Sequence, residues 1–293
     1  MAQADVHTRP EDITAAAVAS FAGCEDERLR ELMQALVRHL HELAREVGLT
    51  EQEWASAIRR LVETGQATDE WRNEFVLWSD TLGLSMLVDA LANEEPAGAT
   101  ESTIMGPFWA SGSPLRGYGE AIFDSAAGEP ALVHGRVLGV DGEPIAGAEL
   151  DVWQNDATEL YGVQDAETPD DHLRGRFLSR DDGSYAFVGV RPVVYPIPTD
   201  GPAGRMLAAT GRHPWRPAHL HMIVTAPGYE RLTTHFFDAE TDYLDSDAVF
   251  AVKPSLLREF VRRSPDDPER PPFVDGEWYS CENDIVLAPA GSS

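Results

Sequence analysis

Beyond Pro96 the chain runs in short apolar stretches punctuated by Gly, Pro, Asp and Asn, a pattern that admits little besides paired β-strands. Residues 132–138 read as a strand, Asp141-Gly142-Glu143-Pro144 as a turn, and residues 148–153 as the next strand. A second turn at Asp181-Asp182-Gly183-Ser184 precedes the run 185–188, and Ala226-Pro227-Gly228-Tyr229 closes an apolar, β-branched run that starts at His219. No helix-period stretch separates these runs, so the expectation is an antiparallel β-sandwich. The segments between Asn155 and Ser179 and between Arg191 and Trp215 read as long loops, where a site carried on a rigid scaffold belongs.

The N-terminal third follows another period. Leu29, Leu32, Met33, Leu36, Val37 and Leu40 recur at helical spacing, as do Trp54, Ile58, Leu61 and Val62, and then Trp71, Phe75, Leu82, Met86, Leu87 and Leu91. Thr50-Glu51-Gln52-Glu53 has the form of a capping box ahead of the second stretch. Stripes this broad serve as a core or a dimer seam. The fold class is therefore mixed and mainly β: a helical cap and dimerisation region over residues 1–99, and an antiparallel sandwich over 100–293.

A formal net charge of -27 excludes nucleic acid and anionic membrane as partners, since phosphate recognition needs clustered Lys and Arg. Residues 1–10 are polar and lack the apolar core of a signal peptide, and no stretch approaches a membrane span, so a cytoplasmic location is expected. Cys24 and Cys281 stand far apart without CxxC spacing, which fits free thiols better than a disulfide or thiolate site.

Chemistry concentrates in Arg216-Pro217-Ala218-His219-Leu220-His221. Alternation along a strand points His219 and His221 to one side. Burying two imidazoles there is costly unless backbone carbonyls satisfy them or a metal binds them. A third ligand for zinc or ferrous iron would be a carboxylate or another His, and acidic residues are too plentiful to single one out. Tyrosines are scarcer. Tyr161 follows Asp151-Val152-Trp153-Gln154-Asn155-Asp156, and Tyr195 sits in the Pro-rich run Val194-Tyr195-Pro196-Ile197-Pro198, whose stiff backbone suits a ligand as well as a core filler.

Together with Thr100-Glu101-Ser102-Thr103-Ile104-Met105-Gly106-Pro107-Phe108-Trp109, these motifs resemble the intradiol ring-cleaving dioxygenases over nearly the whole chain. The resemblance implies a catalytic sandwich whose ferric iron, Fe(III), is held by Tyr161, Tyr195, His219 and His221. Phenolate is a hard anionic donor that favours Fe(III), and two of them offset its charge. It further implies that Tyr195 acts as a base toward an aromatic diol, that O2 cleaves the ring between the two hydroxyl-bearing carbons, and that Arg216 stabilises negative charge building on the ring. A usual homodimer, joined through the helical region and often holding a phospholipid, is implied as well.

Three features, Thr100-Glu101-Ser102-Thr103, His235 and the pair Leu77 and Asp80, are similar to the hydroxyquinol-cleaving branch, which takes benzene-1,2,4-triol to maleylacetate, with catechol or chlorocatechol cleavage as the alternative. His235, in Thr233-Thr234-His235-Phe236, stands where the catechol enzymes carry glutamine, and is read either as orienting Arg216 or as a half-buried strand histidine. In Leu77-Trp78-Ser79-Asp80, Leu77 and Asp80 would face the substrate, with Asp80 accepting from a third ring hydroxyl or, otherwise, acting as a helix-surface or capping acid. Ile104, Met105, Gly106, Pro107 and Phe108 would form another wall of the pocket. Two rivals of other classes stay open: a non-catalytic prealbumin-like binding module, which has no need of two histidines and two loop tyrosines, and a zinc hydrolase. Iron content separates the first, and colour the second, because tyrosinate bound to iron absorbs visible light.

Overall fold

The computed structural model describes residues 9–69, 72–93, 98–123, 128–164, 168–169, 171–272 and 274–291. Trp71 and Pro96, and the start of the expected leaderless N-terminus, lie outside these residues. The chain divides into two compact units, Met1–Val62 and Glu63–Ser293.

The first unit is helical: α1 (Pro10–Ala19), α2 (Glu27–Glu46) and the start of α3 (Glu51–Gln66). Asp26 caps α2 by accepting from the Leu29 N–H, and the capping box at α3 forms in both directions, Thr50 N–H to Glu53 and Glu53 N–H to the Thr50 hydroxyl. The apolar stripe of α2 is largely uncovered, with Leu29, Leu32, Leu36, Leu40 and Leu43 each about half exposed.

In the second unit the third helical stretch is two helices, α4 (Glu74–Thr81) and α5 (Leu84–Ala92), not one. Gly83 adopts φ 74°, and the pair bends by 77° there. These helices, which the sequence groups with the cap, share a core with the β scaffold: Leu77 and Met86 pack with Ile197, Leu207, Phe237 and Val249. Among the described residues no single helix is long and apolar enough to cross a membrane, although α4 and α5 taken together pass that test by length and composition.

The scaffold comprises β1 (Pro130–Gly139), β2 (Glu149–Trp153), β3 (Arg174–Leu178), β4 (Ser184–Val190), β5 (Tyr195–Pro196), α6 (Pro202–Ala209), β6 (Trp215–Arg216), β7 (His219–Thr225), β8 (Leu232–Asp238), β9 (Leu257–Arg258), β10 (Val261–Arg263), β11 (Trp278–Glu282) and β12 (Ile285–Leu287). One sheet runs β10-β11-β1-β12 with β4 also on β1, the other β3-β2-β7-β8-β9, and β5 pairs with β6 apart from both. Pairing is mainly antiparallel, but β1 runs parallel to β11 and β12, and β8 to β9.

Strand, turn and strand form at 132–153 as expected, with a local bridge from Leu138 to Pro144, but the two strands enter different sheets: β1 pairs with β4, β11 and β12, and β2 with β3 and β7. Both expected long loops need correction, and the one from Asn155 to Ser179 contains β3. The expected loop from Arg191 to Trp215 contains β5, α6 and β6, with Pro202 opening α6 and Gly211, at φ 70°, following its last turn.

Period two in β7 assigns the two faces of the second sheet. Leu220, Met222 and Val224 enter the core between the sheets beside Val133, Val152, Phe187 and Phe236. His219, His221 and Ile223 therefore face outward, where loops cover them. The site lies on that covered outer face.

Candidate metal centre

Register brings the site together. His221 on β7 is directly opposite Trp153 on β2 and His235 on β8, giving a row of three rings across the sheet. Trp153 stacks on His221 at 4.7 Å and 11°, while His235 packs edge-on against His221 at 4.1 Å and stacks on His219 at 4.8 Å. Gly106, at φ 73°, closes the far side of His221; a Cβ there would stand 3.2 Å from its Cε1.

Tyr161 arrives from the segment after β2. Asp156 ties that segment by accepting from the Thr158 N–H and hydroxyl, and the Gln164 side chain accepts from the Tyr161 N–H. Tyr195 is in β5 rather than a free loop, and its ladder partner is Arg216. Gln154 and Asn155 hold the approach to β5 by donating to the carbonyls of Val190 and Val193.

The donor atoms converge. His219 Nε2 and His221 Nε2 are 3.1 Å apart, and the Tyr161 hydroxyl is 3.4 Å from the first and 3.2 Å from the second. Tyr195 packs against this group, its ring 5.3 Å from that of Tyr161 and 5.5 Å from that of His219. Two donors on one ion at roughly 2.0–2.1 Å, at angles from square to tetrahedral, stand about 2.8–3.4 Å apart, so the spacing suits a shared cation.

The tautomers agree with that reading. His219 Nδ1 lies 2.8 Å from the Pro217 carbonyl, which can only accept, so Nδ1 carries the proton and Nε2 turns a lone pair inward. Burial, with Arg216 nearby, holds both His219 and His221 well below the ordinary imidazole range and therefore neutral. Burial first, and then Tyr195, pushes the Tyr161 phenol well above its ordinary value. Without a cation it stays protonated; a multivalent ion in the site supplies the charge that lets it ionise. Two neutral imidazoles and two phenols fit a hard trivalent ion.

Arg216 is almost fully buried. Its Nη1 donates to the Tyr195 hydroxyl at 3.2 Å and lies 3.1 Å from His219 Nε2. No hydrogen bond joins His235 to Arg216; the polar neighbour of His235 is the Ile104 backbone. The partner of Arg216 is Asp247, which sequence reasoning missed. It accepts from Arg216 Nε at 3.1 Å and Nη2 at 3.4 Å. His235 completes a buried three-histidine group with His219 and His221, and burial likewise holds it well below the ordinary imidazole range.

The expected pocket residues line two neighbouring cavities of about 500 Å³ that share Arg72, Asn73 and Pro107. Asp80, Ile104, Met105 and Gly106 line one, Leu77 and Phe108 the other. They reach the donor cluster through Gly106 at His221 and through Phe108, which stacks on Tyr161 at 4.7 Å. Asp80 is buried rather than a surface or capping acid, and that burial raises its carboxyl above the usual range while a Ser85 hydrogen bond and Arg216 oppose the shift.

Comparison with known proteins agrees in extent and kind. The family profile described as "Dioxygenase" matches residues 104–280, and "Catechol dioxygenase N terminus" matches residues 26–100. A hydroxyquinol 1,2-dioxygenase of Rhizobium sp. is 48% identical over 275 residues, 92% of either chain. A 6-chlorohydroxyquinol 1,2-dioxygenase of Cupriavidus pinatubonensis is 48% identical over 95% of this chain and 97% of its own. The crystal structure of the Pseudomonas putida hydroxyquinol 1,2-dioxygenase superposes with a TM-score of 0.89 at 48% identity, covering 96% of this chain and 98% of that one. Sequence profile, near half identity along the whole length and shared fold agree, and the chain belongs to the intradiol ring-cleaving dioxygenase family.

Proposed function

We propose that the chain is a hydroxyquinol 1,2-dioxygenase: it takes benzene-1,2,4-triol and O2 and cleaves between the adjacent hydroxyl-bearing carbons, giving maleylacetate. The observation that carries the reading is the meeting of Tyr161, His219 and His221 donor atoms within 3.1–3.4 Å, with Arg216 Nη1 reaching both Tyr195 and His219. Tyr161, Tyr195, His219 and His221 are its proposed iron ligands. Held by these four side chains, Fe(III) would supply the Lewis acidity that activates an aromatic diol toward O2.

The protein's own groups do the rest. Tyr195 is the base that takes a proton from the incoming diol, and the Arg216 guanidinium at its oxygen steadies the anionic form. The same charge faces the electron density that builds on the ring, where a fixed dipole or cation costs no reorganisation. The Pro217 carbonyl and the Trp153 ring hold the two imidazoles in place. Phe108 and Pro107 line the cavity that would receive the ring.

Asp80 is the proposed partner of the third hydroxyl, with Leu77, Ile104, Met105, Gly106, Pro107 and Phe108 shaping the rest of the pocket. A hydrogen bond to a charged group is worth about 1.5–3 kcal/mol, so Asp80→Ala should lower kcat/KM for the triol roughly 10- to 100-fold and for catechol much less. Oxygen uptake on catechol, chlorocatechols and the triol, for wild type and variant, tests both points. A wild type that prefers catechol rejects the substrate reading, and equal losses on both substrates remove Asp80 from it.

Residues 1–99 are proposed as a cap and dimerisation region: the half-exposed leucine stripe of α2 suits a second copy of the chain, and a phospholipid can fill apolar space there. The free thiols of Cys24 and Cys281 suit a reducing cytoplasm.

A further inference from the structure

The guanidinium of Arg216 has one edge facing the donor cluster and one facing away. The outward edge, Nε and Nη2, meets the two oxygens of Asp247 in a fork, and both side chains are 3% exposed or less. The same two oxygens also accept from the N–H groups of Val249, at 3.3 Å, and Ala251, at 3.0 Å. The carboxylate is thereby fixed in its own loop before it touches the arginine. That loop is bracketed by two non-glycine residues in the left-handed region, Tyr243 at φ 67° and Phe250 at φ 62°, conformations kept only where surroundings enforce them. Two other contacts pin it: the Ala248 N–H donates to the Trp215 carbonyl, and Arg212 donates to the Ala248 carbonyl at 3.0 Å.

We propose that Asp247 is a positioning residue for ring cleavage: by holding Nε and Nη2 it aims Nη1 at Tyr195 and the reacting ring. Planarity makes this effective, since fixing two nitrogens of a guanidinium fixes the third. A carboxylate on a flexible side chain would neutralise Arg216 equally well and aim it less well. The assignment rests on the reading of Arg216 as the charge-stabilising group.

The test compares iron-loaded Asp247→Glu, Asp247→Asn, Arg216→Gln and the Arg216→Gln/Asp247→Asn pair with wild type. Readouts are kcat on benzene-1,2,4-triol by oxygen uptake, anaerobic triol affinity from the visible band, and Tm. Asp247→Glu keeps the charge pair, and therefore the fold, but shifts the fork by one methylene. Since a misplacement near 1 Å can cost about 100-fold, kcat should fall roughly 10- to 100-fold while anaerobic affinity and colour change little. In the Arg216→Gln background, Asp247→Asn should lower kcat no further, because it acts through the arginine. Wild-type kcat in Asp247→Glu, beside a large loss in Arg216→Gln, overturns the positioning role alone. So does an Asp247→Asn loss of equal size in both backgrounds. Unchanged kcat in Arg216→Gln overturns the reading of Arg216 and this proposal with it.

Discussion

Arg216→Gln is expected to lower kcat on benzene-1,2,4-triol about 100- to 1000-fold while iron content and colour stay those of wild type. The size is that of removing one preorganised group aimed at developing charge in a water-poor site. Colour should persist because Arg216 contacts Tyr195 and His219 without being one of the four proposed ligands. The loss should appear in kcat and kcat/KM together, since the negative charge it meets builds only during reaction. Stability should also fall, because Asp247 is left as a buried carboxylate without its partner, a change that costs about 3–5 kcal/mol. Removing both charges in Arg216→Gln/Asp247→Asn should recover much of that Tm without recovering turnover. Oxygen-uptake kinetics and thermal melts separate the two effects, and a variant with normal kcat would remove Arg216 from the chemistry.

Tyr161→Phe should act on the iron itself. The hydroxyl it removes is 3.2 Å from His221 Nε2 and 3.4 Å from His219 Nε2, at the middle of the donor cluster. Loss of a group merely supporting a ligand costs about 10- to 100-fold in metal affinity or activity, so loss of the ligand should exceed that. Phenylalanine fills the same space against Phe108, stacked at 4.7 Å, so the fold should hold. The expected result is a well-folded protein with weakened iron retention, a faded visible band and turnover more than about 100-fold down. Metal analysis after dialysis against a chelator, with spectra and oxygen uptake, reads all three. Full iron retention and colour would remove Tyr161 from the ligand set.

Sequence gives the parts of this site that depend on period and composition. His219 and His221 are legible because alternation along an apolar run fixes their common side, and the same alternation places Leu220, Met222 and Val224 inside. The capping box at Thr50–Glu53 is local and equally legible. What depends on pairing between distant segments is not. Trp153, His221 and His235 become neighbours only through the register of β2, β7 and β8, and Tyr195 meets Arg216 only because β5 pairs with β6. Asp247 lies 31 residues beyond Arg216, one of 50 acidic residues, with nothing local to mark it. Other signals were present but outweighed. Gly83 marks the break between α4 and α5 within an otherwise continuous apolar pattern, and Pro202 with Gly211 frames α6 inside a stretch whose proline content reads as loop. That the Asp141-Gly142 turn leads from one sheet into the other is not legible, because the sequence does not reveal that β1 already has partners on both edges.

The most direct test is metal analysis together with the visible spectrum of the purified protein. Close to one iron per chain is expected, with a broad visible absorption that shifts when benzene-1,2,4-triol is added without oxygen. Stoichiometric zinc in a colourless protein, or an iron-loaded protein with no visible band, would contradict a ferric site held by two tyrosines and two histidines.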